Sequence, residues 1–224
     1  MTIPDAHTHL SCYLPLEEQD FCFPACVCAT CPSDWKDVAK LARQFPGKII
    51  PSFGIHPWYI DDSSQNSLAD LSSLLNAFPQ AGVGEIGLDH TKCASASLAL
   101  QQEIFEKQLI LAQKSGRVIS IHCVSAWGRL LDSLEKLQPS RILIHGWKGP
   151  SELAPRLNAL DCYFSVGAFT MNEQSLRSIP ANRILVESDE HCGSAEQAAE
   201  YLASLRSDIS LAALEDNFKR LWSS

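Results

Sequence analysis

Eight short apolar segments alternate with segments of helical pattern along this chain, and this alternation restricts its fold more than any other feature. The apolar segments span residues 2–6, 24–29, 48–55, 82–88, 117–121, 141–144, 162–166 and 183–186. The helical patterns between them include residues 98–114 and 127–137. Strands that alternate with helices form parallel sheets, and eight of them can close into a barrel. The sequence therefore predicts an α/β protein with a TIM (β/α)8 barrel, for which an open doubly wound sheet is the alternative.

Histidine and acidic residues occur at the ends of six of these eight segments. A barrel gathers the carboxyl ends of all its strands around one mouth, whereas an open sheet spreads them along an edge. Residues gathered at one mouth can act together in a single site. The positions of these residues at the strand ends therefore favour the barrel. They are His7, His9, His56, Glu85, His122, His145 and Asp189.

Composition limits the size, compartment and partners of the protein. The 224 residues, 46% of them hydrophobic, can form one sizeable core, and we expect a single domain over residues 1–224. Nine cysteines and a start without a signal-peptide pattern predict a cytoplasmic protein with reduced thiols. No apolar run reaches the length of a membrane span, and no obligate protein partner is indicated. The net charge of -8 argues against a broad electrostatic grip on nucleic acid.

Glu85 lies within an apolar segment near the middle of the chain. A buried carboxylate is costly unless a cation meets it, and the nearest basic residue in sequence is Lys92. His7 and His9 are two residues apart, so in an extended strand both imidazoles face the same side and can reach one ion. These features predict a metal site at the mouth of the barrel.

Six of the residues supply more donors than one catalytic zinc ion takes from a protein. They are His7, His9, Glu85, His122, His145 and Asp189. This number predicts two divalent ions that share Glu85, and the mixed donors admit zinc, manganese or magnesium. Paired ions can activate a water as nucleophile, and Asp189 is placed to orient that water or accept its proton. The chemistry fits hydrolysis of a phosphoester or a related acyl bond, with Glu85 and Asp189 as catalytic residues.

Each predicted ligand also has an ordinary structural interpretation. His122 and His145 follow apolar runs, where a single histidine is commonly a hydrogen-bonded core or rim residue. Asp189 alone could cap a helix or a turn. The combination favours the metal site, because six independent accidents would have to fall at the same ends of the strands.

Two further groups of potential ligands are interpreted as structural. Four cysteines could hold a zinc ion or a cluster, but their apolar surroundings favour a role as small hydrophobic side chains. They are Cys22, Cys26, Cys28 and Cys31. His90 and His191 each follow a stronger candidate closely, and we interpret them as exposed loop residues rather than additional ligands.

Six short motifs occur in a fixed order between residues 5 and 189. They are Asp5-Ala6-His7-Thr8-His9-Leu10, Gly54-Ile55-His56-Pro57, Gly84-Glu85-Ile86-Gly87-Leu88-Asp89, Ile121-His122, Ile144-His145-Gly146 and Glu187-Ser188-Asp189. As a set, they resemble the motifs of TatD-family metal-dependent hydrolases, which belong to the amidohydrolase superfamily. The resemblance covers nearly the whole chain.

The resemblance implies a TIM barrel of the amidohydrolase type, two divalent metal ions and a phosphodiesterase activity of the kind described as deoxyribonuclease. It assigns the same six residues to the metal ions, with Glu85 as the bridging ligand and Asp189 acting on the nucleophilic water. It also places His56 near the site as a substrate-binding residue that contacts a phosphate or the metal-bound water. The alternative for His56 is a structural histidine before Pro57.

The chain departs from the family pattern at positions expected to face the substrate. Val124 stands where many members have an arginine, and His90 stands where a tyrosine often follows Leu-Asp. After the eighth segment the sequence reads Asp189-Glu190-His191-Cys192 in place of Asp-Ala-Pro-Tyr. These changes leave the predicted ligands intact, so they bear on the substrate and not on the metal chemistry.

The leading hypothesis is a divalent-metal-dependent hydrolase that cleaves phosphodiester bonds. It would be a TatD-like deoxyribonuclease or exonuclease, with DNA ends or short oligonucleotides as candidate substrates. One alternative is a hydrolase of a small amide, lactone or phosphotriester that uses the same centre. A second alternative is a non-catalytic barrel that binds a ligand, although such a protein has no need for Glu85 and Asp189 together with four histidines.

Overall fold

Eight parallel strands form one sheet in the computed structural model, which describes residues 3–9, 24–93, 96–169, 171–190 and 193–223. The strands are β1 (Asp5–Thr8), β2 (Ala25–Cys28), β3 (Ile49–Phe53), β4 (Gly82–Asp89), β5 (Ile119–Val124), β6 (Ile142–Ile144), β7 (Tyr163–Val166) and β8 (Ile184–Val186). Each strand pairs with the next one in sequence. This order has no reversal of the kind that a doubly wound sheet contains, and it confirms the predicted α/β barrel.

Helices follow most of the strands and cover the outside of the barrel. They are α1 (Trp35–Gln44), α2 (Ser64–Ala77), α3 (Leu98–Lys114), α4 (Trp127–Leu137), α5 (Ala154–Ala159), α6 (Glu173–Arg177), α7 (Ala195–Leu205) and α8 (Leu211–Trp222). Each long helix buries one stripe of residues, such as Ile104, Phe105 and Leu109 of α3, and leaves the other side polar. Among the described residues, no helix combines the length and apolar character that crossing a membrane requires.

The two ends of the sheet meet beside β1 and β8. The backbone N–H of Asp189 donates to the carbonyl of His7 at 3.0 Å. Ser188 donates its backbone N–H and its hydroxyl to the carboxylate of Asp5, at 3.1 and 2.6 Å. These bonds nearly close the barrel, and they bring the first and last of the predicted site residues to the same mouth.

The opposite end of the barrel is covered by α8. A buried cluster joins Ala6 and Leu143, from β1 and β6, to Phe218 and Leu221 of this helix. Arg141, immediately before β6, donates from Nε to the carbonyl of Leu221 at 3.1 Å. The amino-terminal ends of the strands are therefore packed by apolar side chains, and the carboxyl ends form the accessible mouth.

Two buried glutamines of α3 hold the segments that carry the site. Gln108 accepts the backbone N–H of Ile55 at 2.8 Å and donates to its carbonyl at 3.2 Å. Gln101 makes the same pair of bonds with Asp89, at 2.8 and 3.1 Å. A buried backbone group left without a partner costs about 1–3 kcal/mol, so each glutamine strongly favours the observed position of its segment.

Two site histidines lie within strands rather than after them. β1 continues to Thr8, which pairs with Val27, and β5 continues to Val124. His122 pairs with Gly87, where a Cβ atom would overlap the carbonyl oxygen of His122. The prediction that these strands end before His7 and His122 was wrong, because pairing with the neighbouring strand extends them. The imidazoles consequently project from rigid backbone.

Candidate metal centre

The carboxylate of Glu85 lies in the barrel mouth with five imidazoles around it. Glu85 belongs to β4, and its side chain is buried. The shortest nitrogen–oxygen distances to it are 2.7 Å for His145, 3.1 Å for His122, 3.2 Å for His56, 3.2 Å for His9 and 3.5 Å for His7. These histidines come from four different strands or the segments that follow them, so the closure of the barrel assembles the cluster.

The two oxygens of Glu85 face different imidazoles. Oε2 is nearest to His7 and His9. Oε1 is nearest to His56, His122 and His145. Asp189 extends the first set, because its Oδ1 lies 3.4 Å from Nε2 of His9. Glu85 therefore stands between two sets of donor atoms and can offer one oxygen to each.

His7 and His9 each direct Nε2 toward Glu85, and the Nδ1 atom of each ring contacts another part of the protein. Nδ1 of His7 lies 2.7 Å from the hydroxyl of Ser120, and Nδ1 of His9 lies 3.0 Å from the carbonyl of Cys28. Because a carbonyl only accepts, Nδ1 of His9 carries a proton, and in the neutral ring Nε2 keeps its lone pair. Metal-ligating histidines are commonly oriented in this way, with one nitrogen bound to the protein and the other directed at the ion.

On the other side of the site, Asp89 orients His122. Nδ1 of His122 faces Glu85, and its Nε2 lies 3.3 Å from Oδ2 of Asp89. The same oxygen accepts the indole N–H of Trp58 at 2.6 Å, and Thr91 donates to the other oxygen. Burial raises the pKa of Asp89, but the hydrogen bonds from His122, Thr91 and Trp58 hold it below its usual range. Asp89 is thus an ionised carboxylate that fixes His122.

His145 and Glu187 form a buried pair with unsatisfied polar atoms. Nδ1 of His145 is 3.8 Å from Oε2 of Glu187, which is beyond hydrogen-bond distance. Within the described ranges, neither Nδ1 of His145 nor Oε1 of Glu187 has a hydrogen-bond partner. Burial and the charge of His7 lower the pKa of His145 to about 4, so its imidazole is neutral, as metal binding requires.

His56 differs from the other four histidines in its tautomer. Its Nδ1 accepts the backbone N–H of Trp58 at 3.2 Å. Nδ1 therefore carries no proton, and in the neutral ring the proton is on Nε2, 3.2 Å from Oε1 of Glu85. Burial lowers the pKa of His56, although the neighbouring carboxylate of Glu85 opposes this shift. In this tautomer, His56 directs a hydrogen-bond donor toward the centre.

The cluster as a whole favours positive charge at its centre. Burial raises the pKa of Glu85, but the close contacts of its carboxylate with His56, His145 and His122 hold the pKa well below its usual range. Burial likewise lowers the pKa of His9, but hydrogen bonds to Asp189 and Glu85 raise it to about 12. A proton and a metal ion compete for the same imidazole nitrogen, so either of them supplies the charge that the carboxylates require.

The donor atoms are close enough together to bind metal ions. Among the residues that the structure describes, four groups of three have ligand atoms within 4.8 Å of one another. They are His7, Glu85 and His145; His7, His9 and Asp189; His56, Glu85 and His122; and His145, Glu187 and Asp189. Imidazole nitrogens mixed with carboxylate oxygens suit zinc and other divalent transition ions. The residues present therefore fit a metal centre.

The structure brings all seven residues predicted from the sequence into this one site. Six of them line a cavity of about 400 Å³, and His7 lies behind it with its Nε2 3.3 Å from that of His9. A volume of this size is typical of a pocket for a small molecule. The roles of these residues as metal ligands, catalytic groups or substrate-binding groups stay predictions.

The other potential ligands lie apart from this site or support it. His90 is exposed, and His191 and Cys22 lie outside the described residues. Cys26 and Cys28 are buried in β2 with their sulfurs 3.8 Å apart, and none of the four donor groups contains a cysteine. Sγ of Cys28 also lies 3.4 Å from Nδ1 of His7, and Sγ of Cys31 contacts the hydroxyl of Ser33, so the interpretation of the cysteines as small hydrophobic side chains stays a prediction.

Sequence reasoning missed the residues that orient the predicted ligands. The sequence shows Asp89 and Glu187 only as members of motifs, and it assigns no role to Ser120 or Trp58. The available signal was chemical, since a ligating histidine needs a partner for its second nitrogen. Asp89 ends the same motif as Glu85, but the sequence does not indicate which histidine it contacts.

Known proteins share both sequence and fold with this chain. Cut9-interacting protein scn1 of Schizosaccharomyces pombe is 27% identical over an alignment of 266 residues, which covers 75% of this chain and 79% of that protein. The 3'-5' ssDNA/RNA exonuclease TatD of Edwardsiella piscicida is 31% identical over 159 residues, which cover 66% of this chain and 60% of that protein.

The crystal structure of YJJV, a TatD homolog from Escherichia coli K12, has the same fold, with a TM-score of 0.87 and 22% sequence identity. It covers 99% of this chain, and this chain covers 98% of it. The family model described as TatD related DNase matches residues 5–223. Because this match spans nearly the whole sequence, the chain belongs to the family of TatD-related DNases.

Proposed function

We propose that this protein is a divalent-metal-dependent phosphodiesterase that removes nucleotides from the 3′ end of single-stranded DNA or RNA. One observation carries the proposal: the buried carboxylate of Glu85 directs its two oxygens at two separate sets of imidazoles. Membership of the family and the activity for which one relative is named support the choice of a phosphodiester substrate. We also propose a cytoplasmic location, which agrees with the free thiols of the described cysteines.

The ligands divide naturally between two ions. His7, His9 and Asp189 would hold the first with Oε2 of Glu85, and His122 and His145 would hold the second with Oε1. When bound, a pair of zinc, manganese or magnesium ions supplies Lewis-acid stabilisation of a phosphate and lowers the pKa of a water molecule. Ser120, the carbonyl of Cys28, and Asp89 keep the imidazoles in the orientation that this binding requires.

Asp189 is the proposed acceptor of the proton from the attacking water. Burial raises its pKa, but the hydrogen bond from His9 and the charge of His7 hold the pKa below its usual range. The carboxylate is therefore ionised at neutral pH. Its backbone has a φ of 47°, a left-handed conformation that non-glycine residues adopt mainly where the surrounding structure imposes it.

The test is a panel of substrates assayed with several metals. We expect turnover of single-stranded oligonucleotides and a generic phosphodiester in the presence of zinc, manganese or magnesium. We expect loss of turnover after chelation and its return when metal is added back. Turnover that is indifferent to chelation would contradict the proposal, as would a purified protein that binds no divalent ion.

A second candidate is hydrolysis of a small phosphotriester, lactone or amide at the same centre. The acidic character of the chain and of the pocket lining, which includes Asp34 and Glu190, favours it. The same panel separates the two functions. A rate constant kcat/KM that is highest for a lactone, amide or phosphotriester would replace the phosphodiester assignment.

Replacing His56 by alanine should weaken catalysis without removing metal. As a neutral donor, His56 is placed to bond a phosphate oxygen, and a hydrogen bond to a charged group is worth about 1.5–3 kcal/mol. We expect kcat/KM to fall by about 10- to 100-fold, with unchanged metal content, and His56→Gln to recover part of the loss. Loss of a bound ion from His56→Ala, measured by elemental analysis, would instead identify His56 as a ligand.

A further inference from the structure

Two large aromatic side chains are exposed at the rim of the mouth. Trp58 and Tyr59 form the short helical turn Pro57–Tyr59 that follows His56, and both line the cavity of the metal centre. Trp58 is 47% exposed and Tyr59 is 51% exposed. Adjacent aromatic rings that are half exposed at the entrance of a pocket are a typical feature of binding sites.

The indole ring of Trp58 is held at a fixed distance from the centre. Its N–H bonds Asp89 at 2.6 Å, and the same Asp89 oxygen lies 3.3 Å from His122. The ring stands edge to face with His56 at a centroid separation of 5.2 Å. The Asp89 side chain therefore links Trp58 to His122, a proposed ligand. The sugar of a single nucleotide can span the distance between them.

The hydrogen bond to Asp89 explains the position of one edge of the Trp58 ring. It does not explain why the rest of the ring is exposed. A bond to Asp89 uses only the indole N–H, whereas nearly half of the side chain still faces solvent. Lys92 places its Nζ 4.4 Å from the centroid of the ring. The rim thus offers an aromatic ring with a positive charge over one of its faces, and both groups are of the kinds that bind unpaired bases and their phosphates.

We infer that Trp58, flanked by Tyr59, is a stacking platform for the base of the 3′-terminal nucleotide. The inference rests on the proposed function and names a subsite for it. Stacking does not depend on which base is present, so the platform selects for an unpaired base and not for sequence. A base inside a duplex is already stacked on its neighbours, so a frayed or single-stranded end fits the site and an intact duplex end does not.

Two matched oligonucleotides test this subsite. One single-stranded DNA ends in a normal 3′ nucleotide, and the other has an abasic residue at that position. We expect the protein, with metal, to cleave the normal end with a kcat/KM about 5- to 100-fold higher, which is the effect of one base–aromatic stack. Because the readout is a ratio for one enzyme preparation, it does not depend on the fraction of a variant that folds or carries metal.

Substitutions at Trp58 should change that ratio. Trp58→Ala should bring it close to one, whereas Trp58→Phe, which lacks the N–H but keeps an aromatic face, should retain a clear preference for the base. Tyr201→Ala is the matched control, because Tyr201 is an exposed aromatic residue of α7 that does not line the cavity. It should leave the ratio at the wild-type value.

The outcomes separate this inference from the proposed function. If the wild-type protein cleaves both oligonucleotides equally well, the stacking platform is wrong and the phosphodiesterase assignment stands. If Trp58→Ala and Trp58→Phe lower both rates together without changing the ratio, Trp58 acts only by orienting Asp89, and the platform is also wrong. If the wild-type protein cleaves neither oligonucleotide with any metal, the proposed function fails and the platform fails with it.

Discussion

Glu85→Gln should abolish the bound metal pair and lower kcat/KM for phosphodiester hydrolysis by more than about 1,000-fold. Glu85 directs one oxygen at each set of imidazoles, so its loss affects both proposed ions at once. Glutamine has the same shape but keeps only one oxygen and no charge. The NH₂ group of the glutamine is a hydrogen-bond donor. It would face imidazole nitrogens that, in the wild type, share a cation or a proton with a carboxylate oxygen.

The measurement pairs metal content with kinetics. Elemental analysis after gel filtration should show wild-type protein with close to two ions and Glu85→Gln with fewer than one. Glu103→Gln is a suitable control, because Glu103 is exposed on α3 and pairs with Lys107 four residues away. That variant should match the wild type in both measurements. Full activity and two bound ions in Glu85→Gln would remove Glu85 from the mechanism.

The fold of this chain could be predicted largely because its segments are locally unambiguous. The predicted helix over residues 98–114 is confirmed at both ends, where the Ser97 side chain caps the first turn and the backbone N–H of Ser115 donates to carbonyls of the last turn. The predicted helix over residues 127–137 is confirmed as well. Eight apolar runs then leave few ways to pair, since parallel strands joined by helices are usually neighbours in sequence order.

The strand ends were harder to predict, because pairing across the sheet decides them. β5 runs past His122 to Val124, since β4 offers Gly87, Leu88 and Asp89 as partners. No local property of the segment after Ile121 signals those bonds. The same limit applies to Gln101 and Gln108, whose bonds to the backbone depend on where α3 packs.

The ligand candidates were predictable, whereas their partners were not. Histidines and acids stand out at strand ends in a sequence, and the barrel brings them together by topology alone. Which nitrogen of each imidazole faces the centre depends on a second contact, such as Ser120 for His7 or Asp89 for His122. These contacts join residues more than thirty positions apart, so they emerge only from the packed structure.

Asp189→Asn should lower kcat by about 100- to 10,000-fold, the usual contribution of a general base, while the fold is retained. Asparagine preserves the volume and the backbone N–H that bonds the carbonyl of His7. It removes the charge that His9 contacts at 3.4 Å and the ability to accept a proton. Because five histidines lie within 3.5 Å of the Glu85 carboxylate, we expect Glu85→Gln to lose more metal than this variant.

Single-turnover kinetics at saturating metal distinguish the two contributions of Asp189. If Asp189 acts only as a ligand, excess manganese or zinc should restore the rate of Asp189→Asn. If it also accepts a proton, the rate should stay low when both ions are bound, and its rise with pH should become steeper because hydroxide must replace the lost base. A variant with wild-type kcat at saturating metal would contradict the general-base role and leave Asp189 as a ligand.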